Sequence, residues 1–202
     1  MALFNRDIVL SRASTVLREN TTNYFSNEAT AIESVCKSFS QSAKKTQIFD
    51  IFLSHSYSDR KGALGIKDII ENVFNYSVYI DWIDDRDLDR NSVSTKTAKR
   101  IRERMNKCKC LFYATSSYSS VSKWMPWETG LMDGINNKVA ICPFMDDSNT
   151  NYFYGQEYLG IYPYVTIDTA QGTNTEYLWI NKNNETYVSF DKWLNGSEPY
   201  VH

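Results

Sequence analysis

The sequence predicts an α/β fold, with a parallel sheet covered by helices on both faces. Short apolar runs bounded by polar residues recur at 48–54, 76–82, 109–114 and 139–144. Between them lie segments whose apolar residues follow helical spacing, at 60–74, 92–106 and 123–136. The connections are short, and such alternation builds parallel sheets.

Each element has its own warrant. Residues 6–40 contain no Gly or Pro and read as helix. Leu3, Leu10, Leu17 and Tyr24 are spaced by seven, and Phe25, Ile32 and Phe39 continue on a neighbouring line. That drift is what a straight helix shows against a heptad. Asn20-Thr-Thr-Asn23 has poor helix propensity and is a candidate break. The stripe should pack on the main domain or on a partner. Residues 40–46 are polar and read as a linker, dividing the chain into a helical segment, 1–45, and a main domain, 46–202.

The first strand is Ile48 to Ser54. Leu64, Ile66, Ile69, Ile70, Val73 and Phe74 mark the following helix. Tyr76 to Trp82 is β-branched and aromatic, so it reads as a second strand. Val93, Thr97, Ile101 and Met105 are four apart, as on a helix face. Lys109 to Ala114 is a third strand, 123–136 a helix, and Val139 to Phe144 a fourth strand. Tyr164 to Asp168 is a fifth strand, 176–190 a hairpin with a polar turn, and Ser189 to Leu194 a closing helical turn.

Composition narrows the function classes. The chain has 202 residues, 22 basic and 24 acidic, with a formal charge of −2, so no basic excess argues for nucleic acid. Aromatics reach 14%. The four cysteines and two histidines include no Cys-x-x-Cys pair, so neither a zinc site nor a disulfide framework is expected. No signal peptide and no apolar run of membrane-spanning length is visible, which predicts a cytoplasmic protein without membrane attachment. No glycine-rich phosphate cradle occurs. Asp85, Asp87 and Asp89 have calcium-loop spacing, but Arg90 and Lys96 stand where Gly and Glu are needed, so that reading fails.

In parallel sheets ligands bind beyond the carboxyl ends of the strands. The loops at Ser54–Asp59, 82–91 and 116–127 all leave such ends. The last opens into Trp124-Met-Pro-Trp-Glu128, which sets a ring and a carboxylate on one helix face at i, i+4. An acid near a helix amino terminus is also favoured by the macrodipole alone. His55 cannot form a dyad with Ser54, because adjacent strand residues face opposite sides.

In order and spacing these segments resemble the Toll/interleukin-1 receptor (TIR) domain. Phe49-Asp-Ile-Phe-Leu-Ser-His-Ser-Tyr-Ser-Asp59 is similar to its first-strand box. Val78-Tyr-Ile-Asp-Trp-Ile-Asp-Asp-Arg-Asp-Leu88 is similar to its second strand and loop. Cys108-Lys-Cys-Leu-Phe-Tyr-Ala-Thr115 follows, and Ser122-Lys-Trp-Met-Pro-Trp-Glu-Thr-Gly130 matches the Trp-x-x-x-Glu pattern of its catalytic members. The resemblance covers about residues 47–145. It extends to the TIR subunits of Thoeris anti-phage systems through the short chain and the carboxy-terminal hairpin. The loop after the second strand lacks the Pro of receptor members.

The resemblance implies a flavodoxin-like TIR fold and cleavage of NAD at the nicotinamide–ribose bond. It makes Glu128 the catalytic residue. Trp124 walls the ribose or nicotinamide, while Phe52, Ser54, His55 and Ser56 line the floor. Asp84 and Arg86 belong to a mobile lid. NAD is the substrate, with no other cofactor and no metal. The product is ADP-ribose or a cyclic or conjugated form, read in a defence system by an effector protein. Self-association through the TIR core or the amino-terminal helix is expected. The rival readings are a non-enzymatic TIR scaffold and a nucleoside-processing hydrolase of flavodoxin-like fold.

Overall fold

The computed structural model describes residues 2–20, 30–32, 34–35, 48–84, 94–116, 122–145, 153 and 157–202. The expected linker, Cys36, Arg86 and the other lid positions from 85 to 91 lie outside the described residues.

Parallel strands β2 (Phe49–Ser54), β3 (Val78–Tyr79), β4 (Cys108–Thr115), β5 (Val139–Met145) and β6 (Tyr164–Thr169) form the centre of the sheet. Their order is β3-β2-β4-β5-β6. The second of these strands lies outside the first, as in flavodoxin-like sheets. Antiparallel strands β7 (Glu176–Asn181), β8 (Thr186–Ser189) and β9 (Tyr200–Val201) extend the far edge. The expected hairpin is therefore β7 and β8.

A further strand, β1 (Phe4–Asn5), pairs in parallel with β5 at Phe4–Phe144 and Asn5–Met145. Ala2 then exchanges two backbone hydrogen bonds with Ile167 of β6, at 2.9 and 2.8 Å. The β5–β6 ladder itself is confined to Ile141–Tyr164. The amino-terminal strand thus fills a seam where β5 and β6 diverge.

Helices α1 (Arg6–Glu19) and α2 (Arg60–Phe74) cover one face of the sheet. The short α3 (Asp81–Asp84) follows β3, and α4 (Thr95–Met105) and α5 (Trp124–Asn136) cover the other face. The closing α6 (Phe190–Leu194) returns Phe190 and Trp193 to the α1–α2 side. The caps suit their residues. Asn5 Oδ1 accepts from Ile8 N and Ser94 Oγ from Thr97 N, each at 3.1 Å. Helices α2 and α5 end on Asn75 and Asn137 in the left-handed region, which Asn tolerates.

Two expectations change. The helix predicted over 6–40 breaks after Glu19, where Asn20 caps it at the expected break, and residues 30–32 and 34–35 are helical again, with Ala31, Ile32 and Val35 buried. The buried line of α1 is Val9, Ala13, Val16 and Leu17; of the sevenfold line Leu3 and Leu17 are buried and Leu10 is only part-buried. Small Ala13 and Gly65 allow a close approach to α2 that a leucine ridge forbids: an added Cβ at Gly65 would lie 3.0 Å from Val9 Cγ1. The strand predicted over Tyr76–Trp82 shrinks to two residues. Asp84 Oδ2 accepts from Ile80 N at 2.7 Å and turns the chain into α3.

The sheet's amino-terminal end carries a polar anchor. Asp50 accepts from Lys109 Nζ at 2.7 Å and from Ser77 N and Oγ at 2.9 and 2.8 Å. Burial alone would raise the Asp50 carboxyl, but the Lys109 ammonium and the Ser77 donors hold it below its ordinary value of 3.8. A depressed carboxylate stabilises the fold above its unfolded pKa and loses that contribution as pH falls through its folded value. Asp50→Asn is therefore expected to flatten the acid limb of the stability curve below about pH 4, measured by denaturant titration across pH.

Cys108, Cys110 and Cys142 are buried free thiols, and burial pushes all three well above the usual thiol range. They act as small apolar residues. No helix among the described residues is long and apolar enough to cross a membrane.

Candidate active site

Three hydrogen-bonded links join the loops that leave the carboxyl ends of β2, β3 and β4. Each crosses from one suspected segment to another.

The first involves Glu128. Helix α5 begins at Trp124, after Ser122 Oγ accepts from Met125 N at 3.3 Å. One turn on, Glu128 points back at the sheet and is fully buried. Ser54 Oγ donates to Glu128 Oε2 at 2.5 Å. Strand periodicity explains the meeting. Phe52 and Ser54 share one face of β2, and that face looks toward α5 and α4. A short hydroxyl–carboxylate bond of this kind is charge-assisted and fixes the carboxylate's direction.

The second joins β2 to β4. Ser56 Oγ donates to Asp59 Oδ2 at 2.6 Å. Ser116 Oγ lies 2.8 Å from both Asp59 oxygens. Asp59 is 5% exposed, so this buried carboxylate ties the two loop stems together. Ser56, expected at the substrate floor, has its hydroxyl engaged here.

The third joins β2 to α3. Trp82 Nε1 donates to His55 Nε2 at 2.8 Å. His55 Nδ1 is 2.9 Å from Leu53 O, and the ring is 4% exposed.

Around these bonds the apolar wall is aromatic. Phe52 stacks on Tyr79 with centroids 5.3 Å apart and is buried in the core. Trp124 is half-buried and meets Trp127 edge to face at 5.5 Å. The Arg102 guanidinium of α4 lies 5.6 Å from the Trp127 ring centre.

Asp84 is placed differently from the other predicted residues. Its carboxylate faces its own turn at Ile80 N. Burial, with Glu71 and Asp81 nearby, raises this carboxyl above its ordinary 3.8 against the pull of Lys67 and the Ile80 N–H. The structure thus brings Ser54, His55 and Glu128 together at one end of the sheet, with Ser56 and Trp124 flanking and Phe52 beneath. Trp82, Asp59 and Ser116 belong to the same cluster and went unpredicted. Only Asp59 had a local signal, the Ser-x-x-Asp spacing at the start of a helical turn. Among the described residues no group of three or more His, Cys, Asp or Glu is placed to hold a metal ion.

No family model matches the chain. Over 194 residues it is 43% identical to the probable 3' cyclic ADP-D-ribose synthase ThsB' of Bacillus cereus (strain MSX-D12), covering 96% of this chain and 98% of that protein. It is 33% identical over 92 residues to the putative cyclic ADP-D-ribose synthase TIR2 of Cytobacillus dafuensis, covering 44% of this chain and 24% of that protein. The near-full-length identity to ThsB' joins the flavodoxin-like strand order and the Trp-x-x-x-Glu helix set against the first-strand box, and on these grounds the chain belongs to the bacterial TIR family of the Thoeris ThsB' type.

Proposed function

We propose that this protein cleaves the nicotinamide–ribose bond of NAD and closes the ADP-ribose part into a cyclic signal used in anti-phage defence. The observation that carries the reading is the Glu128 carboxylate, buried and aimed by Ser54 at the carboxyl end of the parallel strands. The names of the relatives agree with it.

The chemistry follows from the charge. As the glycosidic bond breaks, its electron pair leaves with nicotinamide, and positive charge develops on the ribose. A carboxylate at the ribose hydroxyls stabilises that charge, most strongly where water is excluded. A ribose hydroxyl at the adenosine end then attacks the anomeric carbon and loses its proton, closing the ring. Water at the same carbon gives linear ADP-ribose instead. Trp124 and the Phe52–Tyr79 stack shape the space for flat rings. Glu128 is fully buried in this conformation. NAD therefore reaches it only after a covering segment moves, and turnover rises on self-association or after a trigger. An effector protein that reads the nucleotide belongs to the same reading.

The test is incubation of the purified protein with NAD over a range of protein concentrations, read by mass spectrometry. The expected products are nicotinamide and an isomer of cyclic ADP-ribose, with specific activity rising with concentration. Intact NAD at every concentration favours the scaffold reading.

A further inference from the structure

The β2–β3 ladder ends at the Phe52–Tyr79 pair. Just past that end the chain relies on an imidazole. His55 Nδ1 sits 2.9 Å from Leu53 O, and Trp82 Nε1 donates to His55 Nε2 at 2.8 Å. A carbonyl oxygen can only accept, and an indole N–H can only donate. The ring between them must carry its one proton on Nδ1 and be neutral.

The surroundings push the other way. The charged groups on the elements that meet here are Asp50 on β2 and Asp59 after it, Arg60, Lys61, Lys67, Asp68 and Glu71 on α2, Asp81 and Asp84 on α3, and Glu128 and Asp133 on α5. Carboxylates outnumber the cations Arg60, Lys61 and Lys67, and such a field draws a second proton onto an imidazole. What opposes it is burial, with the ring 4% exposed, together with the indole N–H occupying Nε2.

We propose that Trp82 is a positioning residue: its indole N–H keeps His55 neutral and in one tautomer beside the Ser54–Glu128 pair. This rests on the NAD-cleaving reading. There the consequence is electrostatic. The nicotinamide ring of NAD is a cation, and the ribose gains positive charge as the bond breaks. An imidazolium one residue from Ser54 would repel both, whereas a neutral ring does not. Trp82 also stands at the stem of the segment leading to the expected lid. The bond therefore ties that stem to the end of β2.

The test uses the full chain with isotope-labelled imidazoles. Only His55 and His202 contribute, so the nitrogen resonances are readily assigned. In the wild type, His55 is expected to show a protonated Nδ1 and a bare Nε2 that do not change from about pH 6 to about pH 8. Trp82→Phe keeps an aromatic ring but removes the donor. It should let His55 titrate within that range or mix tautomers. The same variant should raise KM for NAD about fivefold or more near pH 6, with kcat within about twofold, and the defect should shrink toward pH 8. Trp82→His, which can restore a ring N–H, should recover part of the effect.

A charged His55 in the wild type at about pH 7, or one protonated on Nε2, overturns the proposal. So does a Trp82→Phe variant with unchanged His55 resonances. If the resonances behave as expected while wild-type protein never consumes NAD, the Trp82–His55 tie stands and the proposed function falls.

Discussion

Glu128→Gln is expected to remove NAD cleavage, by about 10²–10³ in rate or more, in a protein that remains folded. The amide keeps the shape of the side chain and can still accept from Ser54 Oγ. It cannot offer a negative charge to the developing ribose cation. The loss is then a transition-state loss, seen in kcat with little change in KM. Ser54→Ala tests the same pair from the other side. The carboxylate stays but loses the donor that aims it, so a smaller fall of about tenfold is expected. Because Glu128 is fully buried, the thermal transition of each variant must be checked beside its activity. A well-folded Glu128→Gln with near-normal turnover would end the catalytic assignment.

Gly65→Ala should cost about 2–4 kcal/mol of stability. A methyl at this position falls against the backbone of α1, 2.8 Å from the Val9 carbonyl carbon and closer still to its oxygen. The obstacle is main chain on both sides, so no side-chain rotation relieves it. Relief requires α1 to lift from α2, which uncovers Val9, Ala13, Val16 and Leu17. The midpoint of thermal unfolding should fall by about 5–12 °C. Gly134 on α5 supplies the contrast, because a Cβ there meets nothing within 4 Å. Gly134→Ala should stabilise by about 0.5–1 kcal/mol through helix propensity alone. Equal effects from the two substitutions would mean that the α1–α2 contact is not tight in solution.

Strands β2, β4 and β5 were legible because a central parallel strand is buried on both faces and leaves an unbroken apolar run. Strands β1 and β9 were not, since two residues carry no period. The 76–82 run reads as a longer strand because its aromatic and β-branched residues suit one. Nothing local reveals that Asp84 turns the chain at Ile80. Ser54 and Glu128 stand 74 positions apart, and their meeting followed only from the order of the boxes and the rule for carboxyl ends. Trp82 was hidden in the same way: its partner His55 lies 27 residues earlier, and an aromatic residue at a strand end usually packs rather than donates.

The seam filled by β1 sets a timetable for biosynthesis. Ala2 leaves the ribosome among the first residues, yet its hydrogen-bonding partner Ile167 lies in β6 and emerges only after the rest of the parallel sheet. At about 5–20 residues per second, the gap between them lasts on the order of ten to thirty seconds. Through that interval β1 has no partner until β5 emerges, and Ala2 lacks Ile167 until β6 follows, so the nascent chain holds an unpaired strand. Factors that bind nascent chains therefore have a defined window in which to act on this protein, and it closes when β6 clears the exit tunnel and meets Ala2.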